Sequence, residues 1–219
     1  MEFNNVAVNK GSASIEINKV LKNTYTLLSL TLIFSAFMAW VAALTGAMPM
    51  HFLPMIIGFY GLLFAVHKTA NSVWGLFFVF AFTGFLGYTL GPILAMVSAV
   101  APGILMTALG GTGLIFFALS GYVLVTRKDM SFLTGMITAG FVVLLVAMLA
   151  NIFFQLPALN LALSAGFMLF SSAIILYQTS EIVHGGETNY IRATVTLFVS
   201  LYNIFISLIN LLMAFSGND

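Results

Sequence analysis

Five polar residues recur along the last long apolar stretch of the chain: Thr196, Ser200, Asn203, Ser207 and Asn210, at spacings of four, three, four and three. A second set, Asn160, Ser164, Ser171 and Gln178, recurs along the preceding stretch at spacings of four, seven and seven. Each set therefore lies on one face of a helix. The two stretches are joined by about a dozen residues, which makes them antiparallel neighbours whose polar faces can meet. Two readings stand side by side. The seams are either a polar path for an ion or a ladder of interhelical hydrogen bonds, which average about 0.6 kcal/mol each within a membrane.

The other constellations exclude more than they support. The aspartates are Asp129 and the terminal Asp219, so the paired aspartates of an intramembrane aspartyl protease have no counterpart inside the apolar stretches. There is no H-E-x-x-H pattern for a zincin. Ser120–Gly121 has the look of a nucleophile turn, but Ala118–Leu119 precedes it and His51, His67 and His184 all fall at the ends of apolar stretches. Gly110, Gly111 and Gly113 lie within an apolar stretch without a P-loop lysine, which reads as helix packing rather than phosphate binding. The chain has no cysteine, so disulfides, thiolate metal sites and thiol catalysis are ruled out. The expectation is a non-enzyme with no catalytic residue, no cofactor and no metal.

The elements that must position these residues are membrane helices. The chain is 61% hydrophobic and 6% charged, against roughly 25% charged in a soluble domain. Seven apolar runs are legible at 21–45, 52–67, 73–97, 104–125, 133–154, 159–176 and 191–215, most near the length of about 20 residues that crosses a hydrocarbon core. All seven basic residues then fall on one side. Lys10, Lys19 and Lys22 precede the first run, and Lys68 lies between the second and third. Arg127 and Lys128 lie between the fourth and fifth, and Arg192 between the sixth and seventh. Positive residues in short loops stay cytoplasmic. The threading predicts an all-α seven-helix bundle with its N-terminus in the cytoplasm and its C-terminus in the periplasm. The first run is too long for a signal-peptide core and reads as an uncleaved anchor. No basic patch for nucleic acid is present; the lipid bilayer is the partner that composition demands.

Residues 1–20 are polar and without an apolar period, which predicts a flexible tail ahead of a transmembrane domain at 21–219. A second polar segment spans 178–190 and carries Glu181, His184, Gly185, Gly186 and Glu187. Pro54, Pro92, Pro102 and Pro157 fall near span starts or outer bends, where a missing N–H costs little. Asn151 and Gln155 sit near an outer end, within reach of water or loop carbonyls. Trp40, Trp74 and His67 suit the interface. Gly87 with Gly91, and Ala162 with Gly166, form small-xxx-small pairs. These serve either a dimer interface or close packing between helices of one chain.

The last two runs carry a resemblance. Gly166-Phe-Met-Leu-Phe170 followed by Leu176-Tyr-Gln-Thr-Ser-Glu-Ile182 resembles the sixth-helix motif of the Bax inhibitor-1 family, which reads Tyr-Asp-Thr-Gln. Leu197-Phe-Val-Ser-Leu-Tyr-Asn-Ile-Phe205 is similar to that family's Leu-Tyr-x-Asp-x-x-Asn-x-Phe, and Leu21-Lys-Asn-Thr-Tyr25 to the start of its first helix. The likeness implies seven spans and covers nearly the whole chain. It also implies a calcium leak latched by two aspartates, whose positions fall on Gln178 and Ser200 here. Neither residue ionises as a carboxylate does, so the titrating latch is missing.

Within the family the resemblance is to the enterobacterial branch. That implies a multi-pass protein of the bacterial inner membrane that binds the AAA+ protease FtsH, directly or through HflK and HflC, and restrains degradation of membrane proteins. A tail bearing Glu2, Asn4, Lys10, Glu16 and Lys19 would give an unfoldase something to grip, with slow extraction making the chain a substrate-like competitor. The alternative is a calcium or cation leak along the seams, with Gln178, Ser200, Ser171, Thr196 and Asn203 as its site.

Overall fold

The computed structural model describes the backbone of residues 2–217 and the side chains of residues 15–217. Every element among the described residues is an α-helix: α1 Glu2–Leu44, α2 Phe52–Thr69, α3 Val73–Val100, α4 Pro102–Thr126, α5 Leu133–Phe154, α6 Pro157–His184 and α7 Tyr190–Ser216. All seven are long and apolar enough to cross a membrane. Helices are the natural solution, because a span in lipid must satisfy its own backbone groups. The chain is an all-α, seven-helix membrane protein.

The boundaries differ from the sequence expectation in three places. The backbone of α1 is helical from Glu2 rather than from about residue 21. The side chains of Glu2, Asn4 and Lys10 lie outside the described residues. Pro92 lies inside α3, as it lay inside the run 73–97, and the helix continues three residues further to Val100. A helix in lipid tolerates the lost hydrogen bond better than it tolerates an exposed irregular turn. Finally, α6 runs on to His184, leaving residues 185–189 as the connection. Its end is a Schellman turn: Gly185 has φ +78°, its N–H donates to Ile182 O at 3.2 Å, and the Gly186 N–H donates to Glu181 O at 2.8 Å. Composition alone marked this segment as polar. Glycine geometry decides where the helix stops.

The chain divides into two compact units. Unit 1 comprises residues 1–91 and 181–198, and unit 2 comprises residues 92–180 and 199–219, so α3, α6 and α7 each contribute to both. In unit 1, α1 and α3 pack backbone to backbone. A Cβ on Gly87 would strike the Ser35 carbonyl and hydroxyl oxygens, and one on Gly91 would strike Ala42 and come within 2.9 Å of Ala39 O. The Gly87–Gly91 pair is thus consumed within the chain. Phe34 sets its ring edge against Phe80 at 5.5 Å on the same interface. Below it, Val20, Ile182 and Ala193 form a buried cluster that joins α1 to the end of α6 and the start of α7.

In unit 2, Val123, Met130 and Leu133 close the turn between α4 and α5, with Leu176 of α6 packed against them. Gly166 lets Leu144 of α5 approach α6, since a Cβ there would lie 2.7 Å from Leu144 Cδ2. The second small-residue pair therefore also contributes to packing inside the chain. α2 and α5 each bury only 6% of their most apolar window. Their exposed Phe64, Val143 and Phe153 are the surface a lipid-facing helix presents.

Candidate functional site

The two polar seams are where the residues with chemical potential collect. On α6, Ser164, Ser171 and Gln178 are buried, whereas Asn160 is exposed. On α7, Ser200 and Ser207 are buried, Thr196 and Asn203 are half-buried, and Asn210 is exposed. The middle of each predicted face is buried, and Asn160 and Asn210 at its far end are exposed. In unit 2 the faces touch where Asn210 Nδ2 donates to Ser164 Oγ at 3.4 Å. Ser164 Oγ in turn donates to Asn160 O at 3.1 Å. That contact supports the hydrogen-bond ladder at this level.

Further along α6 the ladder lapses. Ser171 Oγ and Gln178 Nε2 are buried and have no hydrogen-bond partner within the protein. An unmet buried polar group costs about 1–3 kcal/mol, so the two mark a place where α6 carries more polarity than packing needs. Gln178 and Ser200, the two positions that the resemblance matched to aspartates, are both buried within unit 2. Asn151 Oδ1 is likewise buried without a protein partner. Gln155 behaves as an end residue should: it is exposed, left-handed at φ 47°, and its N–H donates to Asn151 O at 2.9 Å.

Ser120 is buried 3.3 Å from the Thr179 hydroxyl. A neutral hydroxyl contact supplies no base. His67 is exposed, with Nδ1 donating to Leu63 O at 2.9 Å on its own helix. Among the described residues no three His, Asp or Glu side chains are placed to hold a metal ion.

Three anchoring contacts were not anticipated. Asn189 caps α7, its Oδ1 accepting from the Ile191 N–H at 2.9 Å and the Arg192 N–H at 3.1 Å. Its Nδ2 reaches across to Ala70 O at 3.0 Å and Asn71 Oδ1 at 2.7 Å, which pins the α6–α7 connection to the α2–α3 connection. The sequence signal was present, an Asn directly before an apolar run, but its cross-loop partners are distant in sequence. In the same unit, buried Thr194 Oγ1 donates to Thr24 O at 3.2 Å, joining α7 to α1. In unit 2, Ser180 Oγ accepts from the Met130 N–H at 3.0 Å, fixing the α4–α5 connection to α6. Glu187 accepts an exposed ion pair from Arg192 at 3.1 Å, a kind that contributes little in water.

Of the tail residues, Glu16 and Lys19 are described, and both are exposed. Glu16 borders a cavity of about 200 Å³ that is also lined by Val20, His184 and Glu187.

Comparison with known proteins covers nearly the whole chain. It is 57% identical over 206 residues, 94% of both chains, to the modulator of FtsH protease YccA of Escherichia coli strain K12. It is 57% identical over the same extent to the inner membrane protein YccA of Escherichia coli O6:H1. An uncharacterized membrane protein of Vibrio cholerae is 42% identical over 209 residues, 94% of both chains. The family model described as inhibitor of apoptosis-promoting Bax1 matches residues 17–217. With that match running from within α1 to the end of α7, the chain belongs to the Bax inhibitor-1 family.

Proposed function

We propose that this chain is an inner-membrane protein that binds the AAA+ protease FtsH, directly or through HflK and HflC, and restrains its action on other membrane proteins. The observation that carries the reading is 57% identity across 94% of both chains with a relative named for that modulation. The role is non-enzymatic: it asks for binding, not for a catalytic group. The basic residues orient the chain with its N-terminus toward the cytoplasm, where residues 2–20 are offered to the protease. Exposed Glu16 and Lys19 stand at the base of that segment. Seven apolar helices behind it are slow to extract, so the chain occupies the protease as a competitor.

The test is the half-life of a membrane substrate of FtsH in cells expressing the full chain or one lacking residues 2–20. The full chain lengthens the half-life several-fold; the truncated chain, still recovered in the membrane fraction, has no effect. An equal effect from both would reject the tail as the contact, and no effect from either would reject the function.

A second reading, a calcium or cation leak along the α6 and α7 seams, draws on the buried, unpartnered Ser171 Oγ and Gln178 Nε2. It predicts calcium flux in proteoliposomes that is lost in Gln178→Leu with Ser200→Ala. Gln178→Asp with Ser200→Asp puts two titratable carboxylates at the positions the resemblance matches to the family's aspartates. Flux then becomes pH-dependent in that variant only. Native protein that conducts nothing eliminates this reading and leaves the protease reading untouched.

A further inference from the structure

We propose that the contact between α1 and α3 in unit 1 is the mechanical stop that sets how slowly the protease draws this chain from the membrane. The inference rests on the protease reading, in which the pull enters at the N-terminus, so that α1 is the first helix to leave. The grip on α1 is graded along its length. Ile15, Glu16, Asn18 and Lys19 are exposed, and Ile17 and Val20 border the cavity of about 200 Å³ beside the end of α6. Val20 then joins buried Ile182 and Ala193. One turn on, the Thr24 carbonyl accepts from buried Thr194 Oγ1 at 3.2 Å.

Beyond Thr31 the contact changes kind. Leu27, Leu28, Thr31, Ser35, Ala39 and Ala42 form a buried stripe on α1, at the spacing of one helix face. Gly84, Gly87 and Gly91 of α3 lie against its upper part. A Cβ on Gly84 would come within 2.6 Å of the Phe34 ring, and one on Gly87 would strike the Ser35 carbonyl and lie 2.7 Å from its hydroxyl. One on Gly91 would strike Ala42 and lie 3.0 Å from the Ala43 backbone N. Numbering rises together along both helices, from Phe34 with Gly84 to Ala42 with Gly91, so α1 and α3 run parallel here. Membrane helices hold one another chiefly by close packing, and these glycines concentrate it on the backbone of α1. A ring can swing aside, but a backbone carbonyl cannot. To leave, α1 must cross the glycine grooves or part from α3 before any later helix is drawn. Forced unfolding follows the barrier rather than the equilibrium, and a contact that is lost on the way to the barrier slows the crossing.

The test follows the half-life of the full-length chain by pulse-chase in cells with and without active FtsH, beside that of another membrane substrate of the protease. Gly87→Ala and Gly91→Ala are the variants, because alanine favours the helix and any loss must come from the contact. Gly166→Ala and Gly166→Val are the controls, since both crowd the Leu144 side chain in unit 2, which the pull reaches only after α1 has gone. Equilibrium unfolding in detergent identifies the control whose stability loss matches that of Gly87→Ala. With FtsH active, both α3 variants should decay about fivefold faster than the native chain, and the matched control within about twofold of it. Without FtsH all should be equally long-lived. Protection of the second substrate should fall in step with the faster decay. If the native chain protects that substrate and the α3 variants last as long as it does, the stop is overturned alone. A matched control that decays as fast as they do also overturns it, because general stability would then set the rate. Fast decay of both α3 variants without FtsH overturns it too, as a defect of folding. A native chain that decays alike with and without FtsH and protects nothing overturns the protease reading beneath it.

Discussion

Unit 1 and unit 2 are built from the same apolar alphabet, yet they spend their small and polar residues in opposite ways. In unit 1, Gly87 and Gly91 remove side chains so that α3 can rest on the backbone of α1 at Ser35 and Ala39. Its polar groups tie the helix ends together, as Asn189 does with Ala70, Asn71 and the first turn of α7. In unit 2, many glycines meet nothing: a Cβ on Gly103, Gly110, Gly113 or Gly121 of α4 would enter open space. Its polar residues lie inside the helices instead, where Ser171 and Gln178 keep unmet groups. Lipid tails are as apolar as leucine, so membrane helices associate through close packing and hydrogen bonds rather than through the hydrophobic effect. Unit 1 leans on close packing and on ties between helix ends, with Thr24 Oγ1 its one buried side-chain group without a protein partner among the described residues. Unit 2 holds three such groups, at Asn151, Ser171 and Gln178.

Substitutions can break that contrast. The largest effect is expected at Gly87→Leu, which forces a side chain into the Ser35 carbonyl and should cost roughly 3 kcal/mol. Equilibrium unfolding in detergent and lipid mixtures measures it, and a variant as stable as the native protein would mean that α1 and α3 are not in backbone contact. Asn189→Ala should cost about 1–2 kcal/mol by losing a cap and two cross-loop donations. Faster amide exchange in the first turn of α7 and in the α2–α3 connection would accompany the loss. Ser171→Ala should destabilise by less than about 1 kcal/mol if its hydroxyl holds water. A gain in stability would show instead that the hydroxyl is dry and merely unsatisfied. The smallest effect belongs to Gly110→Ala, expected within about 0.5 kcal/mol because its surroundings are open. If it proved as damaging as the change at Gly87, the α4 face would be covered by a partner in the membrane.

Much of the fold was legible before any coordinates, and the reason is physical. A span must be long, apolar and helical, so the seven elements and their order can be read from hydropathy. The interior details are less legible. Pro92 stands inside a helix that runs on to Val100, past the expected end at 97. The polar segment at 178–190 suggested a loop, but its first half is the buried end of α6. Polarity signals exposure in water; in a packed helix it can equally signal an internal hydrogen bond, as at Ser180 with the Met130 N–H. The candidate seams were visible as periodicities, and their burial was not. Helical spacing places residues on a common face without saying what that face meets.

Composition and spacing by themselves determined the class of protein, the seven spans, and the side on which the charges gather. These follow from transfer free energies and residue chemistry, which belong to each segment alone. Tertiary structure decided which glycines are packing surfaces and which are open, which seam residues find partners, and that Asn189 joins two connections more than a hundred residues apart. Those outcomes depend on the register between helices. Register arises from side chains distant in sequence fitting one another, and no single segment encodes it.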